Sequence, residues 1–122
     1  MDQPITFQQR CLLFSAKVLR LVEKLPKSHT SRTIADQLFR SGTSVGANVQ
    51  EAKGTESRAD FIHKFQVALK EAQEAAYWLA LIQLARIVDD AELPRLAKEA
   101  TEIAAILAQS VITAKKNGGI AS

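Results

Sequence analysis

Residues 40–54 read RSGTSVGANVQEAKG, glycines and small residues set in a chain otherwise rich in Leu, Ala, Lys and Glu. How this stretch is built decides the fold. Gly42-Thr43-Ser44-Val45-Gly46 has the G-x-S-x-G spacing of a hydrolase nucleophile turn. That turn needs a strand before the serine, a helix after it, and a downstream acid and histidine on a large sheet. Here Ile34, Leu38, Ser41, Val45, Asn48 and Ala52 recur three and four residues apart straight through the glycines. This is the period of one continuous helix, and a loop would have scrambled it. Gly42 and Gly46 therefore lie inside a helix, at a cost of about 1 kcal/mol each relative to Ala. On one side of that helix, missing side chains let two backbones approach, and the van der Waals attraction between them offsets the propensity loss. Ser41 and Asn48 sit on the same seam, so both need hydrogen-bond partners, expected from a facing helix. A phosphate loop fails too: Lys53-Gly54-Thr55 has its Gly and Lys in the wrong order, and no G-x-x-x-x-G-K-[ST] occurs.

Outward from this stretch the helical period continues in both directions. Helix 1 is predicted over about residues 5–25, with Phe7, Cys11, Phe14, Val18, Leu21 and Leu25 as its seam and Leu12, Leu19 and Val22 widening it. Pro26 stops it, and PKSHTS connects to helix 2 at about residues 30–53, with Thr30 or Ser31 as N-cap and Gly54 closing it. Ser57-Arg-Ala-Asp60 resembles a capping box opening helix 3, about residues 58–88. Its stripe is Phe61, Phe65, Ala68, Ala72, Ala75, Leu79 and Ile82, and the alanines allow close approach of a neighbour. Helix 4, about residues 92–116, starts between Asp90 and Pro94 and carries Leu93, Leu96, Ala100, Ile103, Leu107, Val111 and Ala114. Asn117-Gly118-Gly119 is expected to end it. Four amphipathic helices on short connections predict an all-α, antiparallel up-down-up-down four-helix bundle, one domain over residues 1–122.

From Ala75 to Val88, helix 3 is apolar nearly all round. A small monomer cannot bury every face of such a helix, so Tyr77, Trp78, Leu81 and Leu84 are candidate contacts of a homo-oligomer. Packing also outweighs base stacking as the use of Tyr77 and Trp78. At 47% hydrophobic residues, 122 residues suffice for a core. The mainly apolar window Ala75–Ala85 is too short for a bilayer span of roughly 20 residues, so no membrane partner is expected. The N-terminus MDQPITFQQRCLLF has no basic region leading into a long apolar run, so no secretory signal is expected. Cys11 is the single cysteine; it can form no intrachain disulfide, which points to the cytoplasm, and its seam position predicts a buried, unreactive thiol.

Charge is uneven. Residues 1–70 hold 11 Lys/Arg against 6 Asp/Glu, and residues 71–122 hold 5 against 7, within a net charge of +3. The basic half makes Arg10, Lys17, Arg20, Lys24, Arg32, Lys53, Arg58 and Lys64 candidates for contact with RNA or DNA phosphates. A protein partner docking on an apolar face is the competing reading. Catalysis is the weakest one, because no nucleophile–base pair, metal cluster or cofactor loop is visible. The only histidines are His29 and His63, and Asp60-Phe-Ile-His63 has no second copy, so neither metal nor cofactor is expected.

Leu25-Pro26, Gln37-Leu-Phe-Arg40-Ser41, Ser44-Val45-Gly46-Ala47-Asn48-Val49 and Glu51 resemble the signature of the four-helix-bundle family encoded in intervening sequences of bacterial 23S rRNA genes. Phe61, Ile62 and the Ala-rich helix 3 continue the likeness, which covers about residues 5–115. Leu25 stands where the family often has Phe, Gln50 where it often has Ala, and Ala52 replaces a Gly. The resemblance implies an antiparallel bundle assembling as a ring, commonly of five subunits. A related branch, the accessory variability proteins of diversity-generating retroelements, forms basic pentameric barrels that bind nucleic acid and a reverse transcriptase. Arg40, Asn48 and Glu51 carry the motif, with Gly42 and Gly46 structural beside them. Arg40 and Glu51 are about 16 Å apart along the axis, so each is expected to meet an opposite charge on another helix or subunit.

Overall fold

The computed structural model describes residues 3–121, with side chains through residue 117. It forms four helices: α1 (Phe7–Glu23), α2 (His29–Ala52), α3 (Arg58–Leu84) and α4 (Glu92–Ala121). No strand occurs among the described residues. They make a helical bundle in which α2 packs on α1 and α3, and α3 on α4. Helix α1 meets α4 less closely, and α1 and α3 lie diagonally without packing on each other.

Side-chain caps set the starts. Thr6 and Gln9 form a reciprocal capping box on α1, with bonds of 2.8 and 3.1 Å. Ser28, rather than Thr30 or Ser31, caps α2 by accepting the Ser31 N–H at 3.2 Å. Ser28 is the first hydroxyl after Pro26, and Ser31 is turned inward and buried. Ser57 Oγ accepts the Asp60 N–H at 3.0 Å and opens α3.

The predicted seams of α3 and α4 are buried, apart from a half-buried Phe61. On α1, Cys11, Phe14, Val18 and Leu21 are buried, but Leu12 and Leu19 are not: they lie on the outer surface. Residue type could not place them, because with Gly42 and Gly46 opposite, α1 needs only a narrow stripe to meet its neighbour.

The glycine stretch is helical from Arg40 through Ala52, Gly42 and Gly46 included. A Cβ added at Gly42 would come within 2.9 Å of both methyls of Val18, so α2 lies almost backbone-on-side-chain against α1 there. At Gly46 it would sit 3.4 Å from Cys11, an ordinary contact distance. Ser15 Oγ links the same pair of helices, donating toward the Gly42 carbonyl at 3.2 Å. The seam polar groups behave differently from expectation. Ser41 donates to Gln37 and Leu38, and Asn48 Nδ2 donates to the Ser44 carbonyl at 2.8 Å, all within α2. Short side chains reach their own preceding turn more easily than a facing helix, and no buried side-chain polar atom of the described residues is left unpaired.

The helix ends also differ. Gly54 is not a left-handed cap, since no described glycine has positive φ. Instead α2 tightens into i→i+3 bonds, and Thr55 Oγ1 donates to the Ala52 carbonyl at 2.7 Å. Helix α3 stops at Leu84, short of Val88, because Arg86 takes φ 54°. The Ile87 and Arg86 N–H groups then return to the Ile82 and Gln83 carbonyls, both at 3.2 Å, a Schellman closure. Helix α4 runs through Gly118 and Gly119 to Ala121, because neither glycine adopts the left-handed turn that would close it.

The two helical glycines should respond oppositely to the same change. Gly42→Ala gains helix propensity but overpacks against the stiff Val18, so it should destabilise by about 1–2 kcal/mol in urea unfolding, with Val18→Ala partly restoring stability. Gly46→Ala meets no clash and should be neutral or stabilise by up to about 1 kcal/mol. Arg86→Gly relieves a left-handed arginine and should raise stability by about 0.5–1 kcal/mol, measured the same way.

Candidate functional site

Several cations chosen from sequence as phosphate contacts are already occupied. On α1, Arg10 grips Glu99 of α4 through Nε and Nη2, both at 2.7 Å, and reaches Glu102 at 2.8 Å. This two-pronged fit suits a planar guanidinium, and its hydrogen bond holds the Glu99 carboxyl below the usual range despite partial burial. At the other end of α1, Lys24 Nζ meets Asp90 Oδ2 at 2.7 Å. The second Asp90 oxygen accepts the Glu92 N–H at 2.8 Å and pins the start of α4. Together, Lys24 first, these bonds lower the Asp90 carboxyl. Between α2 and α3, Lys64 pairs with Glu51 at 2.6 Å. Arg40 bridges to Glu71 at 2.8 Å and to Glu74. Glu74 also accepts the Trp78 indole N–H at 3.1 Å, the largest cause of its lowered carboxyl, with Arg40 adding to it. The motif residues Arg40 and Glu51 thus both meet opposite charge on α3.

Lys17, Arg20, Arg32, Lys53 and Arg58 are exposed and form no ion pair among the described residues. They do not converge. Lys17 and Arg20 line a cleft with Lys24, Asp90 and Glu92 at the α1–α4 edge. Arg32 borders a groove between α1 and α2. Lys53 lies beside Phe61 and Phe65 at the α2–α3 connection, and Arg58 opens α3.

The proposed oligomer contacts divide in the same way. Tyr77 is 61% exposed and Leu84 84%, whereas Trp78 and Leu81 are half-buried. Trp78 packs on the core and meets the Tyr77 ring edge-on at 5.1 Å. Sequence reasoning missed Leu12, Leu13, Leu19 and Phe39 as exposed apolar residues; the only signal was the surplus of leucine on α1 beyond one seam. Leu19, Val22, Ala35 and Phe39 share the α1–α2 groove.

Among the described residues no group of three or more His, Cys, Asp or Glu side chains could hold a metal ion. Cys11 is fully buried, and desolvation pushes its thiol up to about 11. No described helix is long and apolar enough to cross a membrane.

Small-residue helix seams, cross-helix ion pairs and unfilled apolar edges define an all-α helical-bundle protein. Residues 4–109 match the family of 23S rRNA-intervening sequence proteins, and the chain belongs to that family. It is similar to a crystal structure of a Bacteroides thetaiotaomicron protein of unknown function from the S23 ribosomal protein family. The two are 34% identical with a TM-score of 0.79, over 87% of this chain and 98% of that one. No curated protein matches the chain.

The lowered carboxyls fix the sign of a pH effect. Glu74, Glu99 and Asp90 ionise more readily folded than unfolded, so their stabilisation is complete above their usual values of 4.5, 4.5 and 3.8. It is lost as pH falls through the folded values. The urea midpoint should therefore drop on acidification below about pH 5, and Glu99→Gln should flatten that fall while lowering the midpoint at neutral pH.

Proposed function

We propose that this protein is a non-enzymatic, cytoplasmic homo-oligomer, a ring of up-down-up-down bundles with five subunits expected, that binds RNA or DNA phosphates without sequence preference. Opposed contact order supports the topology. Val18 and Cys11 face Gly42 and Gly46, while Arg40 and Glu51 face Glu74 and Lys64. One domain over residues 1–122 fits helices that share a single core.

The observation carrying the nucleic-acid reading is charge left over after the helices are tied. Lys17, Arg20, Arg32, Lys53 and Arg58 remain exposed on a chain of net charge +3. A ring multiplies that excess and binds by counterion release. Arg10, Lys24, Lys64 and Arg40 hold the bundle and take no part.

A second reading, a protein scaffold, is favoured by the apolar α1–α2 groove and by exposed Tyr77. Fluorescence anisotropy with a single-stranded RNA and a DNA separates the two. Binding should weaken steeply with salt, and Arg20→Gln or Arg32→Gln should each reduce the log–log salt slope by about 1. Arg10→Gln should lower stability and leave the slope unchanged. Absence of binding at low salt overturns the nucleic-acid reading.

A further inference from the structure

Cys11 faces Gly46, so Phe7, where α1 begins, falls about level with Gln50 near the end of α2. The connection after α2 and the first turns of α3 lie beyond the reach of α1. A cavity of about 420 Å³ opens there, edged by Gln8, the end of α2 and the start of α3. That volume suits a small organic ligand. Phe61 and Phe65 line it as a stacked pair, with ring centroids 4.5 Å apart and 26° between the planes. Phe65 is buried and Phe61 half-buried, so Phe61 is the outer ring of the stack. The hydroxyls of Thr55 and Ser57 also line the cavity but are committed to the backbone, to the Ala52 carbonyl and the Asp60 N–H. Gln8, Lys53 and Glu56 are different. Their side chains reach the same cavity and form no ion pair or hydrogen bond among the described residues.

We infer that this cavity takes one unpaired guanine of a single-stranded nucleic acid, stacked on Phe61 and read by Glu56. This rests on the nucleic-acid reading above; the phosphate contacts proposed there carry no sequence preference, and the cavity adds one at a single base. The lining selects among ligand classes. A hydrocarbon chain would leave Lys53 and Glu56 without partners, and a bare anion would meet Glu56 and gain nothing from the rings. A nucleotide unites a flat ring for stacking, an edge of hydrogen-bond donors and an anionic phosphate. The carboxylate then selects the base. It only accepts, and it accepts two donors side by side. Guanine offers that pair, N1–H and the N2 amino group, on one edge. Adenine and cytosine set an acceptor beside their amino group, and uracil flanks its N3–H with two carbonyls, so each turns a lone pair toward the carboxylate. The Gln8 amide supplies a donor for the guanine carbonyl. Lys53 meets the phosphate, and exposed Arg58, next to Ser57, meets the adjoining one.

The test is fluorescence anisotropy at fixed low salt with short labelled uridine strands, plain or carrying one central guanine. The guanine strand should bind about tenfold tighter than the plain one. Adenine or cytosine in that place should gain at most about two- or threefold, from stacking alone. Glu56→Gln should bring the guanine and plain strands to within about twofold of one another, because the amide turns one donor toward guanine's donors. Phe61→Leu should weaken the guanine strand about fivefold or more, with circular dichroism checking that the helices persist. The same set built on thymidine DNA shows which nucleic acid the cavity takes, by where the preference appears. Equal binding of plain and guanine strands in both RNA and DNA overturns the cavity assignment and leaves the non-specific reading standing. A Glu56→Gln variant that keeps the full preference overturns it as well. Failure of every strand to bind, the plain one included, overturns the nucleic-acid reading itself and this inference with it.

Discussion

The contact of Gly42 with Val18 governs how the bundle is arranged. Even one methyl at position 42 would stand only 2.9 Å from the Val18 side chain, so α1 and α2 sit nearer at that level than any side chain at position 42 would allow. Ser15 then reaches the Gly42 carbonyl, a bond that a longer separation would forbid. Close approach narrows the stripe that α1 must bury, which is why Cys11, Phe14, Val18 and Leu21 suffice and Leu12 and Leu19 are left outside. One missing side chain therefore sets both the inside of the protein and part of its outside.

The α1–α4 edge follows a different logic. The helices are farther apart there, and long charged side chains span the distance: Arg10 to Glu99 and Glu102, Lys24 to Asp90. Exposed and partly exposed pairs of this kind contribute little beside the buried apolar residues between the helices. Their effect is alignment. Asp90 shows it most clearly, since one carboxylate fixes the end of α1 and the first turn of α4 together. The Arg40–Glu71–Glu74–Trp78 cluster aligns α2 with α3 in the same manner. Part of the basic character of the first half, Arg10, Lys24, Arg40 and Lys64, is thus structural, and any interaction with an acidic partner falls to the cations without ion pairs.

Legibility from sequence was uneven for physical reasons. The stripes of α3 and α4 could be read residue by residue, because a period of three and four survives whatever the helix packs against. The starts of α3 and α4 fell where expected, whereas those of α1 and α2 shifted by two and one residues; at α2 several hydroxyls compete to cap and only the folded turn selects Ser28. The stop at Leu84 was missed because the left-handed position is filled by Arg86, not by Gly. Among candidate site residues, Arg10, Lys24 and Lys64 could not be distinguished from Lys17 and Arg20. Their partners lie 89, 66 and 13 residues away along the chain.

The sequence by itself determined the four helices, the helical state of the glycine stretch, the family and most of the core, because these depend on local periodicity and residue size. Tertiary structure alone decided which charges are bound and which apolar residues face water. Both properties belong to pairs of helices, and the distance between two helices is set by the side chains of both at the point where they meet.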